Sequence, residues 1–278
     1  MQKKYLPSLV IILLSTGIYF WSLTILKKGF DFGLIAILAI VALLYMYFFR
    51  NDEQPISLLQ KKTSGYLVMY GLLYFASIFF MNLLGSSIVY WLVQFLIPLL
   101  ILKLHKESLS SIFFKWSNIF KDGKVILVSV ILLVPFLIFE VRDSEQILKL
   151  FQSWKIILYL PISILYMLVI VAFWEEFFFR GILQSSILKL TKSASASIFL
   201  TALFFSTYHI PMRYYNARSE YHGDLLSSMA GTINEQFIMG LFLGFVVYKS
   251  KNVWHGIWLH SILNGVSFVY QLSLMLVL

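Results

Sequence analysis

The chain has 278 residues, of which 60% are hydrophobic and 13% charged, with a mean hydropathy of +0.84 and a formal net charge of +9. An ordinary soluble domain carries charge on about a quarter of its residues, so this composition excludes a soluble fold. There is no cysteine, which excludes disulfides, thiolate catalysis, Cys-ligated zinc and iron–sulfur clusters.

A bilayer core of about 30 Å is crossed by about 20 apolar helical residues. Segments 5–26, 193–212 and 252–278 are free of Asp, Glu, Lys and Arg and each fits one crossing, while 63–102 is long enough for two. Taken in chain order, spans are expected at 6–26, 30–49, 66–84, 87–104, 125–140, 156–180, 194–210, 234–249 and 254–277. The expected fold is therefore all-α, a polytopic transmembrane helical bundle of about eight or nine membrane helices. A β-barrel would instead alternate over strands of about ten residues. Met1-Gln2-Lys3-Lys4 followed by an apolar run mimics a signal peptide, but the run is long and lacks a small-residue cleavage site, so it is read as a retained first span.

Between the spans, residues 50–64 are polar. Residues 105–124 intersperse Lys106, Lys115, Lys121 and Lys124 with aromatics, the pattern of an interfacial amphipathic helix, and 211–233 reads as a long polar loop. Pro211 disfavours helix at Ile210, so the seventh span should end there. Lys and Arg in alternate loops place the N-terminus inside. The positive charge is accounted for by these loops and by anionic lipid, and no nucleic-acid partner is expected.

The informative stretch is Phe173-Trp174-Glu175-Glu176-Phe177-Phe178-Phe179-Arg180. Charges at membrane depth are expensive unless paired or hydrated. Glu176 and Arg180, four apart, share a helix face. A purely structural ion pair needs only these two, whereas Glu175 lies about 100° round the helix and requires another partner. That partner is sought in His209. Spans six and seven turn near 192–193, and Glu176 and His209 lie at similar distances from the turn, so a hairpin brings them to similar depth. In the last span His260 and Asn264 share a face, as either interhelical glue or chemistry. Gly240 and Gly244, also four apart, permit close helix approach. His105, His222, His255, Glu140, Glu220 and Glu235 fall in loops or at span ends.

The ordered set EExxxR (Glu175-Glu176…Arg180), FxxxH (Phe205…His209) and HxxxN (His260…Asn264) resembles the CPBP family, which comprises type II CAAX prenyl proteases and bacteriocin-processing enzymes and is also called Abi. The resemblance covers roughly residues 155–275. It divides the chain into N-terminal membrane helices of unassigned role (1–150) and a CPBP-like catalytic membrane core (151–278). It implies an intramembrane endopeptidase in which Glu175 activates water with help from His209. Glu176 pairs with Arg180, and His260 and Asn264 stabilise the oxyanion. The long 211–233 loop departs from the family pattern.

Two alternatives stand for the cofactor. Glu175, His209 and His260 could bind zinc, leaving a position for water. The same residues suit metal-free glutamate chemistry, and no H-E-x-x-H run is present. The implied partners are a membrane peptide or protein substrate and the lipid bilayer, with the oligomeric state left open. The expected location is a bacterial plasma membrane. Competing classes are a non-catalytic scaffold or regulator of a sensor kinase, a bacteriocin immunity factor, and a transporter using carboxylate proton sites. The intact polar set weighs against the scaffold, and the lack of internal repeats against the transporter.

Overall fold

The computed structural model describes residues 6–26, 58–84, 87–115, 145–217 and 219–276, with single helical positions at 127, 131 and 134. All of the regular structure among these residues is helical. Helix α1 is Leu6–Ile25, α2 Lys61–Leu84, α3 Ser87–Leu104 and α4 Glu145–Phe151. Helix α5 runs unbroken over Ile156–Thr191, α6 over Ala194–Tyr215, α7 over Leu225–Ser250 and α8 over Val253–Leu276. The expected span 30–49 lies outside the described residues, as does 125–140 apart from its three single positions.

Among the described residues, α5 and α7 are long and apolar enough to cross a membrane by length and composition, and shorter apolar stretches occupy Leu13–Ile25 and Val93–Leu104. The described residues thus support the helical class but not the expected count. Polar residues are the physical reason for part of the difference: serines open α6, and His255, His260 and Asn264 interrupt α8.

The boundaries also differ from expectation. Helix α6 continues through Pro211 to Tyr215. Pro211 lacks the N–H of one helical bond, but it is buried, and packing carries the helix past it. Helix α7 starts at Leu225, where the Asp224 side chain accepts from the Ser227 N–H at 3.1 Å. The long loop therefore shrinks to residues 216–224. Residues 105–115 form no amphipathic helix. They hold a 3₁₀ turn at Leu109–Ile112 and a left-handed Phe113 (φ 61°), and Ile112, Phe113 and Phe114 are buried. The Phe113 carbonyl accepts from the Val253 N–H at 3.0 Å, docking this segment on the start of α8. The rest of the expected amphipathic helix lies outside the described residues.

Helix α8 packs along the first part of α5, α6 lies against α7, and α2 packs on the last turns of α5 and on α6. Close crossings depend on missing side chains. A Cβ on Gly265 would meet Ile164 Cα at 2.9 Å, and one on Gly240 would meet Ala202 Cα at 3.0 Å. The α5–α6 turn falls at Lys192, in the left-handed region at φ 55°, and Ser193, whose hydroxyl accepts from the Ala196 N–H at 3.2 Å. This is the hairpin the sequence implies. One end of the bundle gathers the start of α2 and the ends of α3, α5 and α7. Gln60 N–H donates to Glu107 at 2.8 Å there, and Lys61, Lys62, Lys106, Lys192 and Lys251 are exposed.

Candidate active site

Helix α5 carries Glu175 and Glu176 in a short α-helical segment, Phe173–Glu176, set between two π-helical stretches, Leu168–Ala172 and Phe177–Gln184. Wide π turns cost regular hydrogen bonding and mark functional positions in helices. Here they re-aim the side chains on both sides of the glutamates.

Glu176 and Arg180 are fully buried and paired, with Arg180 Nη1 donating to Glu176 Oε1 at 2.8 Å. The guanidinium lies over the Phe205 ring, 4.3 Å from its centroid, a geometry that suits a delocalised cation. Arg180 Nη2 also reaches the Gly240 carbonyl at 3.4 Å, and one turn on Gln184 donates to the Gly244 carbonyl at 2.6 Å. Two polar side chains on α5 thereby read two carbonyls on α7 in matched register. Gly240 and Gly244 do allow close approach, as the spacing suggests. Gln184 was missed in the sequence, although its position four residues beyond Arg180 in an apolar run is a signal.

The three motifs meet. His260 on α8 donates from Nδ1 to Glu176 Oε1 at 2.9 Å, and its Nε2 lies 3.9 Å from Glu175 Oε2. His209 on α6 places Nε2 at 3.8 Å from Glu175 Oε1. The His209 Nδ1–H donates to the Phe205 carbonyl at 2.8 Å. A carbonyl only accepts, so in the neutral ring Nε2 presents its lone pair towards Glu175. The expected Glu176–Arg180 pair and the approach of His209 to the glutamates are both present. Asn264 stands one turn beyond His260 on α8, half-buried. Glu175 Oε2 and Glu176 Oε2 are buried without a hydrogen-bond partner.

Zinc can be tested against these residues. Both imidazoles have their second nitrogen tied to an acceptor, as metal ligands usually do. The spacing is wrong, however. Ligand atoms on one tetrahedral zinc stand about 3.3 Å apart, against 3.8 and 3.9 Å here. Among the described residues, no group of three or more His, Asp or Glu is placed to hold a metal ion. At these separations Glu175, His209 and His260 are not drawn up as zinc ligands, and the metal and metal-free alternatives both stand.

His209 also lines an open cleft of about 380 Å³ with Arg213, Tyr221, Glu235 and Gln236 among its walls. Arg213 pairs with Glu235 across the mouth and lies over the Tyr221 ring, 5.5 Å from its centroid. Burial pushes the Tyr221 phenol above its ordinary range, with Glu220 adding to the effect. The cleft lies where the end of α6 meets the first turns of α7.

A family model described as type II CAAX prenyl endopeptidase Rce1-like matches residues 157–266. The match runs from the start of α5 to within α8 and includes Glu175, Glu176, Arg180, His209, His260 and Asn264. No curated protein and no solved structure matches the chain.

Proposed function

We propose that the chain is a CPBP-type intramembrane endopeptidase that hydrolyses a peptide bond in a membrane-embedded or juxtamembrane peptide, a reading supported by the family match over residues 157–266. Residues 151–278 are its catalytic core, and helices α1–α3 brace that core. The observation that carries the reading is the bracketing of Glu175. Its two carboxylate oxygens face Nε2 of His209 at 3.8 Å and Nε2 of His260 at 3.9 Å, from separate helices.

Glu175 takes a proton from a water as the water oxygen bonds to the scissile carbonyl carbon. His209 Nε2 accepts from the same water and fixes its direction. The carbonyl π electrons move to oxygen, giving a tetrahedral oxyanion. His260 Nδ1–H is committed to Glu176, so donation to that oxyanion requires the doubly protonated ring. In that form His260 Nε2–H and the Asn264 carboxamide supply the two donors. The C–N bond then breaks, and the proton on Glu175 passes to the leaving nitrogen. The products are a carboxylic acid and an amine. Glu176 and Arg180 hold the ring of His260. No step runs through a metal.

The substrate reaches His209 through the cleft between α6 and α7. The lysine-bearing end of the bundle faces the cytoplasm, as the positive-inside rule implies for a bacterial plasma membrane.

The test compares cells carrying the wild-type chain and Glu175→Ala at matched membrane abundance, with released and retained peptides quantified by mass spectrometry. A peptide whose processing is lost only in the variant supports the hydrolase and identifies its substrate. An unchanged peptide profile, with any biological phenotype fully rescued by the variant, favours a scaffold.

A further inference from the structure

The walls of the His209 cleft come from two antiparallel helices whose register is fixed by contact. A Cβ on Gly244 would meet Ile198, one on Gly240 would meet Ala202, and Arg213 pairs with Glu235. Away from the cleft both helices return to the lysine-bearing end, where Lys192 precedes α6 and Lys251 follows α7. At 1.5 Å per residue, about 31 Å of chain separates Arg213 from Lys192, and about 24 Å separates Glu235 from Lys251. A hydrocarbon core is about 30 Å thick. The rim of the cleft and the exposed lysines therefore belong to opposite faces of the membrane.

The basic residues are divided unequally between these faces. Besides the five exposed lysines, the lysine-bearing end holds Lys103, Lys189 and Lys249 in the last turns of α3, α5 and α7. The end that bears the cleft has half as many: Lys149 and Lys155 before α5, Arg213 at the rim and, by sequence, Arg218 in the 216–224 loop. Lys149 is already paired with Glu145, and Arg213 with Glu235. Lys and Arg accumulate on the cytoplasmic side, so the cleft lies on the other side. Its rim is polar, with Asn216, Ser219 and Glu220, and its inner wall reaches His209, one helical turn before Arg213.

We infer that the cleft opens on the extracytoplasmic face, and that the peptide it takes is presented to Glu175 from outside. The substrate class is then a peptide whose cleavage site has already crossed or entered the membrane. Export or membrane insertion is the step that supplies it, and a peptide confined to the cytoplasm is not cleaved. This inference rests on the hydrolytic reading above and adds the side from which the site is reached.

Two measurements on the full-length chain test it. The first needs no substrate. The chain has no cysteine, so one replacement gives one thiol. Ser219→Cys places it in the cleft, and Lys62→Cys places it on the exposed first turn of α2. Each variant is expressed in a bacterial plasma membrane and treated with a membrane-impermeant sulfonated maleimide, in spheroplasts and in inverted vesicles. Ser219→Cys is expected to label in spheroplasts alone, and Lys62→Cys in inverted vesicles alone. Any other pattern at Ser219→Cys overturns the inference. Should Ser219→Cys fail to accumulate, His222→Cys, exposed on the same loop, takes its place with the same expected outcome.

The second follows the peptide whose processing depends on Glu175 in spheroplasts carrying Ser219→Cys, before and after labelling from outside. Processing is expected to be lost on labelling, while the wild-type chain, which has no thiol, is unaffected. Processing that survives complete labelling, alongside an inactive Glu175→Gln, overturns this inference alone. A Glu175→Gln chain that processes peptides normally overturns the hydrolase reading and with it this extension.

Discussion

His260 Nδ1 and Arg180 Nη1 converge on the same oxygen of Glu176, at 2.9 and 2.8 Å. One carboxylate therefore ties α8 to α5 and neutralises a guanidinium with no exposed surface. Removing one partner of such a buried pair costs about 3–5 kcal/mol, because the other charge is left uncompensated. Glu176→Gln and Arg180→Met should each lower the melting temperature and membrane yield sharply. The double variant should be less destabilised than the sum of the two. Thermal unfolding of the four chains in detergent measures the coupling, and simple additivity would contradict the pairing.

Glu175 behaves differently. Its Oε2 has no partner, and its approaches to the two imidazoles are 3.8 and 3.9 Å, longer than hydrogen bonds. Glu175→Gln therefore breaks little that holds the fold together. Stability is expected to stay within about 1 kcal/mol of wild type, while peptide processing falls by about 10²–10⁴-fold. A variant that loses both equally would point to a structural role. The contrast between adjacent glutamates is the sharpest separation of chemistry from architecture that this helix offers.

Much of this cluster was legible in the sequence because it rests on helical arithmetic. The spacing of Glu176 and Arg180 fixed their shared face, and the 192–193 turn set Glu176 and His209 at a common depth. The dual ties of His260 could not be read that way. They depend on the azimuth of α8 and on π turns at 168–172 and 177–184, which shift side chains without leaving a signature in the hydropathy. Pro211 misled because backbone rules place a helix end there, while burial carries α6 on to Tyr215. Residues 105–115 misled because a Lys and aromatic pattern resembles an interfacial helix. Here the aromatics turn inward onto Trp254 and Phe177, as the Phe114 contacts at 5.3 and 5.6 Å record.

Two glycines in α8 should separate activity from stability. A Cβ on Gly265 would meet the Ile164 backbone, with Cα at 2.9 Å and N at 3.0 Å. Backbone cannot step aside, so Gly265→Ala should pry α8 from α5 and destabilise by about 1–3 kcal/mol. A Cβ on Gly256 would instead lie 2.8 Å from Glu176 Oε2 and 2.8 Å from Val247 Cγ2, both side-chain atoms that can shift. Gly256→Ala should therefore cost less stability but displace the carboxylate that orients His260. Its kcat should fall more than its melting temperature suggests. Measuring both quantities for both variants tests the distinction, and a Gly256→Ala chain with wild-type kcat would refute it.

Arg213 and Glu235 pair across the open cleft that His209 lines. Glu235 is 44% exposed and Arg213 21%, and a pair so accessible to water contributes at most about 1 kcal/mol to folding. Its effect should fall on access rather than stability. Glu235→Gln weakens this bridge across the substrate path and is expected to raise kcat/KM at low ionic strength with little change in melting temperature. Salt screens such a pair over a Debye length of about 10 Å at 0.1 M. Wild-type kcat/KM should therefore rise with salt towards the variant's value, while the variant's own salt dependence stays flat. Parallel salt profiles for the two chains would show that the pair does not control entry, and would move the substrate path to another face of α6 and α7.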